Sequence, residues 1–188
     1  MKPAPFTYHD PPSLDGVLAA LAEHGDDAAV ISGGQSLLPL MNLRLARPEV
    51  VIDPRRVPGL RGISVTDDAV VVGAMTTASE LLEDPAVGLA LPGLTEAVAC
   101  IGHSQIRNRT TIGGSLAHAD PAAELPAVLA GVEGDVLLTS TSGERRVPAA
   151  ELFDGPFSTT RRPGDRGGPG APCPPRVQRS RRPAGPRL

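Results

Sequence analysis

The sequence predicts an α+β protein. A β-α-β-β unit spans residues 1–55, and a second α/β unit with a largely antiparallel sheet spans 56–160. A disordered tail covers 161–188. Three observations carry this reading. Apolar spacing switches from helical to strand-like near residue 60, glycine and proline punctuate short apolar runs, and the last stretch is dominated by Arg, Pro and Gly.

The elements follow in order. Phe6-Thr7-Tyr8-His9 reads as a short opening strand. Ser13 is placed to cap a helix with Leu14, Val17, Leu18 and Leu21 on one face, closed by Gly25 in a left-handed cap. Ala28-Ala29-Val30-Ile31 is a small apolar strand running into a glycine pair, and Val50-Val51-Ile52-Asp53 is another. From residue 62, Gly62-Ile63-Ser64-Val65 and Ala69-Val70-Val71-Val72 form a meander around Asp67-Asp68. Thr77 and Glu80 have capping-box spacing at the start of a short helix. Pro92 opens a further helix towards Ile101. Residues 134–139 and 144–147 make a hairpin about Thr141-Ser142-Gly143.

Composition excludes several classes. The chain has 188 residues and an apolar fraction of 40%, enough for a folded core. No apolar run reaches membrane-spanning length, and the first residues lack a secretory signal, so a cytoplasmic protein without a membrane span is expected. Cys100 and Cys173 are far apart and form no ligand pair, which argues against zinc, iron-sulfur or disulfide frameworks within this chain. One tyrosine, three phenylalanines and no tryptophan leave almost no stacking surface for bases.

Charge is divided. Residues 161–188 carry eight Arg against one Asp, whereas residues 1–160 carry twenty acids against ten Lys and Arg. Twenty of the last 28 residues are Arg, Pro or Gly, a composition that buries too little to offset the entropy of ordering. GC-rich DNA read out of frame encodes such text, so a frameshift or truncation is expected. Nucleic-acid binding by the tail is disfavoured, because its prolines prevent a basic helix and the body is acidic.

Two segments point to chemistry. In Val30-Ile31-Ser32-Gly33-Gly34-Gln35-Ser36-Leu37 a strand empties into paired glycines, whose backbone can turn successive N–H groups towards an anion such as pyrophosphate. A plain tight turn is the competing reading. It is neither a Walker loop nor GxGxxG. In Thr110-Thr111-Ile112-Gly113-Gly114-Ser115 a second pair is framed by hydroxyls, with Glu124 following at a distance that reaches ribose or ribityl hydroxyls. Two such segments separated by a sheet are suited to the two ends of a long dinucleotide.

These residues resemble a known family. Ser32 through Arg44 and Thr111 through Glu124 are similar to signatures of the medium, FAD-binding subunits of molybdenum hydroxylases of the carbon monoxide dehydrogenase and xanthine dehydrogenase type. Residues 72–77 and 101–108 extend the likeness over nearly all of 5–160. Departures are Ser32 for Ala, Asn42 for Lys, Ala78 for His, Thr110 for Gly and Glu124 for Asp.

The resemblance implies an FAD-binding fold of the p-cresol methylhydroxylase type, with a separate C-terminal domain that residues after Thr160 do not match. It implies that Ser32, Gly33, Gly34, Gln35, Ser36 and Leu37 wrap the pyrophosphate. Thr111, Gly113, Gly114 and Ser115 face it from the opposite wall, Ile101 contacts the cofactor and Glu124 binds its hydroxyls. No side chain is expected to act as a catalytic acid, base or nucleophile, and none to bind a metal. It further implies an oxidoreductase subunit that passes electrons from an iron-sulfur small subunit through FAD to an external acceptor, beside a molybdopterin large subunit. A truncated non-catalytic fragment and a stand-alone flavin oxidoreductase are the alternatives.

Single residues have blander readings. His103 and His118 are expected to be hydrogen-bonded structural groups. Arg107 and Arg109, alternating about Asn108 as on a strand, are balanced between neutralising a diphosphate and an exposed or ion-paired role. Asp120 is expected in a turn and helix cap, and Cys100 as a small packed hydrophobe.

Overall fold

The computed structural model describes residues 2–160 and 177–179. Within the first fifty or so residues, β1 (Thr7–His9), α1 (Leu14–His24), β2 (Ala28–Val30), α2 (Leu37–Asn42) and β3 (Val50–Ile52) follow in order. The strands pair in parallel in the order β1-β3-β2, with Val51 between Tyr8 and Ala29. Alternation across so short a sheet separates two faces. Val30, Val50 and Ile52 pack with Val17, Ala20 and Leu21 of α1, while Val51 packs with Ile31 and Met41. The β-α-β-β pattern of the sequence is therefore present with one added helix, α2, whose Leu37-Leu38-Pro39-Leu40 text is apolar without helical periodicity.

Ser13 caps α1 as expected, its Oγ accepting from the Gly16 amide at 3.1 Å. Gly25 closes the helix at φ 51° but ψ −123°, a positive-φ turn outside the left-handed helical region that was anticipated.

The second unit contains β4 (Ile63–Val65), β5 (Val70–Val72), α3 (Ala78–Glu83), α4 (Pro85–Ala90), α5 (Pro92–Cys100), α6 (Ser104–Arg107), α7 (Ile112–His118) and α8 (Glu124–Gly131). It continues through β6 (Gly134–Ser140), β7 (Gly143–Pro148), α9 (Ala149–Leu152), β8 (Phe153–Gly155) and β9 (Ser158–Thr159). Its core joins Val70, Val72 and Val136 of the sheet to Leu81, Leu94, Val98, Leu116 and Leu125 of the helices. Aliphatic residues build this core throughout, as the dearth of aromatics requires.

The tail expectation falls on residues 161–188, of which 161–176 and 180–188 lie outside the described residues. Inside it, Val177–Arg179 form β10, which pairs antiparallel with both β5 and β6 in a sheet ordered β4-β5-β10-β6-β7. Part of the expected tail is thus a strand.

Candidate functional site

Because the first sheet is parallel, the chain leaves each of its strands at the same edge, where open parallel sheets usually present ligand loops. The Ile31 amide still pairs with the Ile52 carbonyl at 2.9 Å, and the chain then breaks away through residues 32–37. Gly34 takes φ 75°, a conformation that side chains with a Cβ rarely adopt. Among the described residues, the six consecutive amides of Ser32 to Leu37 donate to no protein group, and the next helical bond is Leu38 N–H to the Gly34 carbonyl at 3.1 Å. Unpaired amides of this kind are costly unless water or a ligand accepts from them. Together with the turn at Gly34 they make a concave donor surface.

The second glycine pair is built differently. It is the first turn of α7, with Thr111 as N-cap, rather than an open loop. A helix start leaves its first amides without intrahelical partners. Here they are used internally: Ile112 N–H donates to the Thr76 carbonyl at 3.0 Å and Gly113 N–H to the Ala74 carbonyl at 2.9 Å. Gly114 N–H donates to Thr111 Oγ1 at 3.1 Å. A Cβ on Gly113 would meet the Ala74 Cβ at 2.5 Å, so this glycine permits close packing. The hydroxyls of this wall are those of Thr111, which is buried, and Ser115, and the missing side chain of Gly114 makes room for Ser32 and for Thr111 Oγ1.

The two segments touch. A Cβ on Gly33 would lie 2.1 Å from the Arg109 carbonyl oxygen, and one on Gly114 would lie 3.1 Å from the Ser32 Cβ. Ser32 Oγ stands 2.5 Å from Thr111 Oγ1 and donates to Met75 Sδ at 3.1 Å. Residues 32–34 and 111–114 therefore line one cleft. Its backing is the segment Ala74-Met75-Thr76-Thr77, to which the sequence reading assigned no site role. The clue was available in its small and hydroxylated residues, but backbone pairing such as the Thr77–Thr111 bridge leaves no composition signal.

Other expected residues lie elsewhere. Ile101 is buried in the second core and its carbonyl accepts from Arg107 Nη1 at 3.0 Å. Glu124 begins α8. Among the described residues no hydrogen bond ties either to the two glycine segments. Gln35 folds back, its Nε2 donating to the Gly33 carbonyl at 3.4 Å, while Leu37 packs against the Ile31, Met41 and Val51 cluster.

Several side-chain expectations need correction. Arg107, Asn108 and Arg109 do not alternate on a strand: Arg107 ends helix α6 and Asn108 caps it, and Arg107 Nη1 also donates to the Gly102 carbonyl at 2.9 Å. Arg107 thus satisfies the carbonyl end of α5, a helix terminus that attracts cations. Arg109 is exposed and contributes its carbonyl to the Gly33 contact. Cys100 is exposed rather than packed. Asp120 Oδ1 accepts from the Ala122 amide at 2.9 Å, making a turn, but the N-cap of α8 is Ala123. His118 packs against Phe157 at a 5.1 Å centroid distance.

Beside the cleft, at the end of β3, Asp53 is fully buried yet satisfied. It accepts from Tyr8 Oη at 2.7 Å and from the Arg55 amide at 2.9 Å, and pairs with the Arg55 guanidinium. The hydrogen bond to Asp53, then burial and the charge of Asp53, raise the Tyr8 hydroxyl above its ordinary pKa. Among the described residues no helix is long and apolar enough to cross a membrane.

A run of free amides at 32–37 thus stands against a wall that carries the hydroxyls of Thr111 and Ser115. The chain belongs to the family described as the FAD binding domain in molybdopterin dehydrogenase, whose pattern matches residues 4–165. It is 47% identical over 165 residues, 88% of this chain and 56% of the relative, to the alpha subunit of the 6-hydroxypseudooxynicotine dehydrogenase complex of Paenarthrobacter nicotinovorans. It is 45% identical to the carbon monoxide dehydrogenase medium chain of Hydrogenophaga pseudoflava, over 85% of this chain and 55% of that one.

Among solved structures, carbon monoxide dehydrogenase from Hydrogenophaga pseudoflava superposes with a TM-score of 0.89 at 40% identity, covering 98% of this chain and 62% of the other. Quinoline 2-oxidoreductase from Pseudomonas putida 86 gives 0.88 at 38% identity, covering 96% and 60%. The fold is thus that of the medium-chain FAD-binding proteins, and the cofactor of the family is FAD. The chain spans a little over half the length of these curated relatives.

Proposed function

We propose that this chain holds FAD as the flavin-binding part of an electron-transfer subunit in a molybdenum hydroxylase complex, with an iron-sulfur small subunit and a molybdopterin large subunit as partners. The observation that carries the reading is the run of six unpaired amides at 32–37 brought against Thr111.

The cleft can be tested against the chemistry of the cofactor. A pyrophosphate needs several donors, close approach to backbone and little steric cover. The amides of Ser32, Gly33, Gly34, Gln35, Ser36 and Leu37 supply the donors, while the positive φ of Gly34 turns the segment and the bare Gly33 and Gly114 let the two segments come together. The body carries twenty acids against ten Lys and Arg over residues 1–160, so its overall field disfavours a dianion. Binding must then rest on local dipoles, each hydrogen bond to a charged phosphate contributing about 1.5–3 kcal/mol. The residues fit the group.

When bound, FAD supplies the exchange of one or two electrons that connects single-electron centres to a two-electron acceptor. The chain's own part is to hold and orient. Residues 32–37 grip the diphosphate, the Thr111 and Ser115 hydroxyls face it from α7, and Gly113 fixes α7 against Ala74. Glu124 and Ile101 are assigned to the cofactor's hydroxyls and ring end by family position. Of the expected site residues, Gly113 contributes packing rather than a donor. Oxidoreductase activity, the electron acceptor and both partner subunits rest on the likeness to relatives whose names describe dehydrogenase subunits.

The test is direct. Full-length chain incubated with FAD and passed through gel filtration should retain stoichiometric flavin absorbance. A folded chain that elutes free of flavin overturns the proposal.

A further inference from the structure

Ser32 and Thr111 are the only pair of side chains among the described residues that hydrogen-bond to each other across the two glycine segments. Their surroundings allow a count of protons. Thr111 Oγ1 already accepts from the Gly114 amide at 3.1 Å. Ser32 Oγ has Thr111 Oγ1 at 2.5 Å on one side and Met75 Sδ at 3.1 Å on the other. Ser32 and Thr111 each own one hydroxyl proton.

Two arrangements satisfy this geometry. In the first, Ser32 donates to the Met75 sulfur, and the proton between the two oxygens is that of Thr111, whose donor capacity is then spent inside the protein. In the second, Ser32 turns its proton to Thr111, and the Thr111 proton is released towards the cleft. Thioether sulfur is a weak acceptor. A phosphate oxygen is a strong one. An anion entering the cleft therefore favours the second arrangement, in which the Gly114 cap is kept, Thr111 donates outward and Ser32 supports it from behind.

We propose that Ser32 is a positioning residue for the cofactor: with Met75 as its resting acceptor, it forms a two-state hydroxyl relay that turns the Thr111 proton out to the bound phosphate. The inference rests on the FAD reading above and goes beyond it by assigning this chain a device that an Ala at this position cannot provide. An Ala leaves Thr111 without a second donor and removes the link between the two walls.

The experiment titrates full-length wild type, Ser32→Ala, Met75→Leu and the double variant with FAD, following flavin fluorescence and the rate of flavin release. Ser32→Ala should bind about three- to tenfold more weakly and release flavin faster, the size of one ordinary hydrogen bond. Met75→Leu should bind at least as tightly as wild type, because Ser32 then has only Thr111 to serve. The double variant should match Ser32→Ala. A merely structural link would instead be weakened by both single changes, so an equal loss in Met75→Leu and Ser32→Ala overturns the relay. Wild type that binds FAD no better than Ser32→Ala also overturns it, while leaving the FAD reading intact. Wild type that binds no FAD removes both.

Discussion

The carbonyl oxygen of Arg109 occupies the space where Gly33 would carry a side chain: a Cβ built there falls 2.1 Å from it. This contact sets the separation of the two walls of the cleft. Gly33→Ala must push residues 32–34 away from residues 109–111. We expect a loss of about 1–3 kcal/mol in stability, in the range for overpacking a tight contact, together with loss of FAD retention. Thermal unfolding and a flavin titration check the two effects. Unchanged binding would show that the walls need not touch.

Thr111 is both N-cap of α7 and the hydroxyl facing Ser32. Thr111→Val keeps the shape and removes the oxygen. A lost cap costs about 1 kcal/mol, so the denaturation midpoint should fall, and FAD affinity should fall with it. Thr111→Ser should recover most of both, because the serine retains the oxygen that caps α7 and pairs with Ser32.

Arg107 and Arg109 separate structure from binding. Arg107 holds the carbonyls of Ile101 and Gly102 at 3.0 and 2.9 Å. Arg107→Ala should destabilise the protein by about 1.5–3 kcal/mol, the range for hydrogen bonds to a charged group. Arg109→Ala, which keeps the backbone carbonyl against Gly33, should leave the melting temperature near that of wild type. A reversed order in calorimetry would contradict these assignments.

The capping box of α3 gives a pH prediction. Burial acts to raise the Glu80 pKa, but it is outweighed by hydrogen bonds from the Thr77 amide, Arg61 and the Thr77 hydroxyl, so the net shift is downward. A carboxyl with a lowered folded pKa contributes stability above its unfolded value, and this is lost as pH falls through the folded value. The stability difference between wild type and Glu80→Gln should therefore be present at neutral pH and shrink on acidification below about pH 4. Urea titrations at several pH values measure it. A gap that widens in acid would reverse the assignment.

Legibility followed the range of the interactions. The Thr77–Glu80 box and the Ser13 cap are local patterns, and both are present with the expected bonds. The strands β1, β2, β3, β6 and β7 were readable from apolar runs and turn residues. Helix α2 was not, because Pro39 and unbroken leucines mask any periodicity. Helices α6 and α8 were likewise missed, and the alternating Arg-Asn-Arg text at the end of α6 reads as strand until the carbonyls that recruit Arg107 are seen. Both glycine pairs were legible as special backbone, but not their division of labour. Whether an amide is free depends on a distant carbonyl, as Ala74 shows for Gly113, and no spacing in the sequence carries that information.

Hydrogen exchange with and without FAD measures the central claim at the amides themselves. Residues 32–37 should exchange rapidly in the free protein and become strongly protected when FAD is added, while the amides of Ile112, Gly113 and Gly114 stay slow in both states. Flavin that binds without slowing exchange at 32–37, or protection there before any cofactor is added, would contradict the account.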